Sequence, residues 1–187
     1  MEIFEEMENY WIQIGEGKEL DLSKWMNRFT NDMIFRIATG SKVSSISSYY
    51  YQIMKDHDDK DFVKESEGFI VGFEKFIDGM SFVFIYNDFI KNYLPGLSTI
   101  YKNYLKNRDF IYNKFDEIIR KRRIEIENTP LEVPLNHDML TSFITANTSR
   151  DINPTKHVDP DLLRPMTDLE IRANMIDAFV AGTESVS

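Results

Sequence analysis

No part of this 187-residue chain alternates apolar and polar side chains as a half-buried strand does; apolar residues recur instead at spacings of three and four. A chain with only that period builds from helices, so the expected fold class is all-α. Ile3, Phe4, Met7, Trp11 and Ile14 share one face of a first helix, which Gly15 and Gly17 break. Asp21 or Ser23 can cap the next, whose stripe runs through Leu22, Trp25, Met26, Phe29, Met33 and Ile37 until Gly40 ends it.

The Ser-rich residues 41–48 read as a loop. Beyond them Phe62, Phe69, Ile70, Phe73, Phe76, Ile77 and Met80 trace a buried helical stripe, and Pro95-Gly96 punctuates the aromatic stretch that follows. A long helix is predicted from about Ser98 to Asn128, with Tyr104, Ile111, Phe115, Ile118 and Ile126 on one side and Thr129-Pro130 as its stop. A short helix around Met139 to Ala146 precedes a polar loop from Asn147 to Met166. Thr167-Asp168-Leu169-Glu170 is a capping box, opening a helix striped by Ile171, Met175, Phe179, Gly182 and Val186. The stripe continues to the last residue with no terminating glycine or proline, and the expectation is a piece of something longer.

With 22 Lys and Arg against 31 Asp and Glu, the net charge of −9 opposes nucleic-acid binding, which draws on clustered cations. The absence of Cys removes disulfides, thiolate metal sites and cysteine nucleophiles. The longest uncharged apolar stretch, Gly79 to Asn87, is far short of the about 20 residues that span a bilayer, and Met1-Glu2-Ile3-Phe4-Glu5-Glu6 is acidic where a secretory leader is basic.

His57-Asp58-Asp59 and His137-Asp138 place imidazole beside carboxylate, but adjacent helical residues point about 100° apart and neither cluster has a partner one turn away, so both read as solvated surface. Arg120-Lys121-Arg122-Arg123 reads as a solvated helix end that complements the dipole rather than as an acidic-partner patch. Asn147-Thr148-Ser149 matches the glycosylation triplet only by a common pattern. Ala181-Gly182-Thr183-Glu184-Ser185 gathers poor helix formers inside a helix. Fraying explains that, and so does a helix distortion beside a ligand, with a small surface at Ala181-Gly182 and an acid and a hydroxyl at Glu184 and Ser185.

In order along the chain, these segments are similar to a known family. The run from Leu169 to Ser185 resembles the long central helix of the cytochrome P-450 haem-thiolate monooxygenases, where Thr-Asp-x-Glu-Ile-Arg-x-Asn leads to Ala-Gly-x-Glu-Thr-Thr over the haem. Met139-Leu140-Thr141-Ser142-Phe143-Ile144 looks like the short helix before it, and Leu20 to Gly40, with Arg28-Phe29-Thr30-Asn31-Asp32-Met33-Ile34, resembles an earlier helix that often ends in Phe-Gly and here ends in Thr39-Gly40.

The resemblance implies that residues 1–187 are a partial cytochrome P-450 domain, its middle helices truncated within the long central helix, with the N-terminal part and the C-terminal haem-binding part absent. It implies a fragment of a haem-dependent monooxygenase that inserts one oxygen atom of dioxygen into a small organic or lipophilic substrate, inactive alone because the family's axial thiolate has no Cys here. Ala181 and Gly182 would form the oxygen-side groove at the haem, and Glu184 and Ser185 would be the catalytic pair relaying protons there. Ser185 stands where the family usually has Thr, and Val186 where it has Thr or Ser. For the parent enzyme the resemblance implies an NADPH-linked reductase as electron source, an endoplasmic reticulum membrane as location, and a membrane-surface contact near Phe82 to Tyr93. The reading from another class is a non-catalytic, all-helical interaction module.

Overall fold

The computed structural model describes residues 2–54, 61–151 and 163–184, Thr183 and Glu184 by backbone alone. Among the described residues the fold is all-helical, with α1 at Glu2–Ile14, α2 at Leu22–Thr39, α3 at Ser45–Met54, α4 at Asp61–Ile85, α5 at Asp88–Tyr93, α6 at Leu97–Asn128, α7 at Met139–Thr145 and α8 at Asp168–Glu184. None of these helices is long and apolar enough to cross a membrane.

Local chemistry sets most boundaries. The Asp21 carboxylate accepts from Lys24 N at 3.2 Å to cap α2, and Gly40, at φ 67°, ends the helix while its N–H donates to Arg36 O at 2.8 Å. Asn87 caps α5 through Ile90 N at 3.0 Å, and Asp138 caps α7 through Thr141 N at 2.7 Å.

The chain divides into two compact units, residues 1–43 with 115–187, and residues 44–114. In the first, α1 lies on α2 through edge-to-face pairs of Trp11 with Trp25 at 6.0 Å and Phe4 with Phe29 at 6.2 Å. Exposed pairs Arg36 with Glu2 and Lys42 with Glu6, at 2.6 and 2.7 Å, flank that seam. The core of this unit gathers Trp25, Phe35, Phe115, Ile119, Leu140, Ile171, Met175 and Phe179, all buried. Burying a large apolar side chain contributes roughly 1.5–3 kcal/mol, so this cluster is the main source of the unit's stability.

In the second unit α3 packs on α4, and α4 packs on the first half of α6. Phe76 stacks on Tyr104 at 5.8 Å, and Gly79 lies against that same tyrosine so closely that a Cβ there would overlap the ring.

Several expectations need correcting. The Ser-rich segment is half helix, not loop. Ile46 and Tyr50 give α3 a buried stripe, and its hydroxyls are absorbed, Ser47 Oγ donating to Ser44 O at 3.1 Å and Ser48 Oγ to Glu67 Oε1 at 2.7 Å. Spent on Glu67, the Ser48 hydroxyl no longer competes with the helical backbone. On α6 Ile111 is fully buried as expected, but its next buried isoleucine is Ile119 rather than Ile118, and Phe62 on α4 is 42% exposed.

Candidate functional site

Residues 181–184 of the segment singled out as a site lie in the last turn described for α8, so the geometry of that helix decides what they can reach. Its start is the expected capping box: Glu170 N donates to Thr167 Oγ1 at 3.3 Å, and Thr167 N returns a hydrogen bond to Glu170 Oε2 at 2.8 Å. Arg164 clamps the same carboxylate through both oxygens, at 2.5 and 2.9 Å. The Arg164 fork, followed by the Thr167 amide and hydroxyl, holds the Glu170 carboxyl at about 2, against an ordinary 4.5.

Two further arginines tie α8 to the second half of α6. Arg123 donates to Asp168 at 2.7 Å and to the Met166 carbonyl at 3.2 Å, and Arg172 donates to Asp116 at 2.5 Å. One turn later the apolar stripe takes over. Phe179 meets the ring of Phe35 on α2 at 5.5 Å and that of Phe115 on α6 at 5.2 Å, both edge-on.

At Gly182 the helix crosses α2 so tightly that a Cβ would overlap the end of the Ile34 side chain. Its neighbour Ala181 is exposed. The backbone stays α-helical through Glu184, so among the described residues there is no distortion beside a ligand. The glycine is accounted for by close approach to α2 instead. Gly182 thus lies against Ile34, while Ala181 beside it is exposed. The Glu184 side chain and Ser185 lie outside the described residues, as does His57-Asp58-Asp59.

Two readings of polar clusters change. His137 is exposed as expected, but Asp138 is buried. The basic run lies short of the last turn of α6 and is solvated only at Arg120 and Lys121, both exposed. Lys121 pairs with Glu117 at 2.7 Å, Arg123 with Asp168, and Arg122 is buried with its guanidinium shared among Asp138, Thr141 and the Thr39 carbonyl. Sequence reasoning missed this junction of α2, α6 and α7. The available signal was Asp138 itself, standing where an N-cap belongs before Met139-Leu140.

What the arrangement offers chemically is a helix fixed by ion pairs at one end and aromatic packing in the middle, which carries the backbone of residues 181–184. The family model for cytochrome P450 matches residues 5–187, nearly the whole chain. The chain belongs to the cytochrome P450 family. No curated protein and no solved structure matches it.

Full-length cytochromes P450 use haem, and the fit of this chain to that group can be judged from its donors. The sequence has no Cys, so the axial thiolate does not come from these residues, and among the described residues no group of three or more His, Asp or Glu could hold a metal ion. Thiolate ligation is therefore not open to these residues.

Proposed function

We propose that residues 1–187 supply the middle helices of a haem-dependent monooxygenase domain, a partial domain that is inactive without the thiolate-bearing part. The observation that carries this reading is the family match over residues 5–187. It is supported by the capping-box start of α8 and by the firm seating of that helix on α2 and α6. Haem, when bound, supplies the activation of dioxygen for insertion of one oxygen atom into a small organic or lipophilic substrate.

In this reading Ala181 and Gly182 make the oxygen-side surface, Ala181 being exposed and Gly182 letting α8 come close to Ile34. Ser185 holds a proton on a hydroxyl that both donates and accepts, and Glu184 replenishes it from water. Lacking the methyl of the family's usual threonine, the serine rotates more freely, so its proton is delivered with less directional control. Electrons come from an NADPH-linked reductase, and the parent enzyme sits at an endoplasmic reticulum membrane.

The exposure of Phe84, Ile85, Phe89 and Tyr93, each more than 65% accessible, supports a membrane-surface contact at α5 and the end of α4.

The test is made in a full-length family protein carrying this segment, by measuring product formed per NADPH consumed together with peroxide released. Ser185→Ala is expected to lower the first ratio about tenfold or more and to raise the second, with Glu184→Gln acting the same way. Unchanged ratios in Ser185→Ala would remove the proton-relay assignment.

A further inference from the structure

Between the end of α6 and the turn after α7 runs a groove of about 450 Å³, lined by Leu131, Val133, Pro134, Leu135, His137 and Thr145, with Arg150 on its wall. Leu131 and Val133 are 75% and 48% exposed, so apolar surface lies open there without a partner of its own. The volume falls within the roughly 300–1,000 Å³ typical of small-molecule sites, whose walls are mostly apolar with a few placed polar groups.

Arg150 is the placed polar group, and its position is well supported. Its backbone N–H donates to Thr148 Oγ1 at 3.2 Å, and Thr148 Oγ1 donates in turn to Thr145 O at 2.6 Å. Asn147, at φ 58°, donates from its backbone to Asp151 Oδ2 at 2.6 Å and closes the turn. The guanidinium is only partly used. Nη2 donates to the Thr129 carbonyl, whereas Nη1 is buried with no hydrogen-bond partner. Among the described residues that lack a partner at a buried side-chain polar atom, Arg150 is the charged one.

A buried N–H on a cation left unpaired is costly, and a planar guanidinium fork matches a carboxylate bidentately. Arg150 as a whole is only half-buried and lines the groove. Arg123 and Glu127 line the continuation of the groove, but Arg123 is committed to Asp168, which leaves Arg150 as the cation with donor capacity to spare. We infer that this groove binds a small amphiphilic carboxylate, its apolar body on Leu131, Val133 and Leu135 and its carboxylate on Arg150. The inference does not rest on the monooxygenase reading, and its test needs no haem.

The probes are 3-phenylpropionate and its neutral amide, titrated into the full chain by calorimetry well below the melting transition, with Arg150→Gln and Arg150→Lys alongside. The acid is expected to bind saturably and about tenfold or more tighter than the amide, in line with a charge-assisted pair. Arg150→Gln should abolish that preference, and Arg150→Lys, which lacks the fork, should keep part of it. The inference is overturned by equal binding of acid and amide, or by acid binding that persists in Arg150→Gln. It is overturned as well if the acid shows no saturation at about 1 mM, including the case where only an acidic peptide binds. Should Arg150→Gln fail to fold, the acid and amide comparison on the unaltered chain decides.

Discussion

Arg122 Nη2 donates to the carbonyl of Thr39 at 2.5 Å, joining α6 to the end of α2 across 83 residues of sequence. Nη1 serves Asp138 at 2.8 Å and Thr141 at 3.1 Å and Nε pairs with the more exposed Glu125 at 3.3 Å, with the Arg122 and Asp138 side chains only 9% and 3% exposed. Taking one member from a buried pair strands the other, at a cost of about 3–5 kcal/mol. Arg122→Met and Asp138→Ala should each lower the urea midpoint accordingly, and the double variant should lose much less than the sum. A loss below about 1 kcal/mol in either single variant would show that the junction tolerates an unpaired charge.

The crossing of α8 on α2 makes a second prediction. Ala is favoured over Gly in a helix interior by about 1 kcal/mol, but overpacking costs about 1–3 kcal/mol, and at Gly182 the added methyl meets Ile34. Gly182→Ala should therefore be neutral to destabilising, whereas Gly182→Ala combined with Ile34→Ala should regain the helical preference. If Gly182→Ala alone stabilises the chain in thermal melts, the contact with Ile34 is not restrictive.

A third prediction concerns acid. Because the Glu170 carboxyl lies at about 2 in the folded chain against an ordinary 4.5, the folded state prefers the ion more strongly than the unfolded one does. The stabilising contribution is complete above pH 4.5 and is lost as the pH falls toward 2. Melting temperatures recorded across that interval should drop more for the unaltered chain than for Glu170→Gln, and salt should narrow the gap because the site is open to solvent. Parallel curves would mean that the Arg164 clamp does not persist in solution.

The exposed aromatics give a fourth. Phe84→Ser with Phe89→Ser should reduce flotation of the chain with anionic vesicles, without shifting its melting transition, because both rings are largely in solvent. Flotation that stays the same would assign these rings to another contact.

How much of this could be read from the chain follows from the range of the interactions involved. Asp21, Gly40, Pro95-Gly96 and the Thr167 and Glu170 pair act on backbone within four residues of themselves, so they are legible as local chemistry. The serines of α3 misled because Ser48 finds its partner 19 residues away on α4. Arg122 misled for the same reason, since a basic run looks solvated until Asp138 and Thr39 arrive from other helices. At the candidate site the composition of residues 181–185 was visible, but the use of Gly182 was not, because Ile34 reaches it from the other end of the sequence.

Both tryptophans of the chain lie in one hairpin, Trp11 on α1 and Trp25 on α2, with rings 6.0 Å apart. The molecule thus carries its own optical gauge: emission excited at the red edge of the absorption band reports on the α1 and α2 seam alone, while circular dichroism averages every helix. Divergence of the two signals during denaturation would date the opening of that seam relative to the rest and reveal a population in which one hairpin has let go before its neighbours.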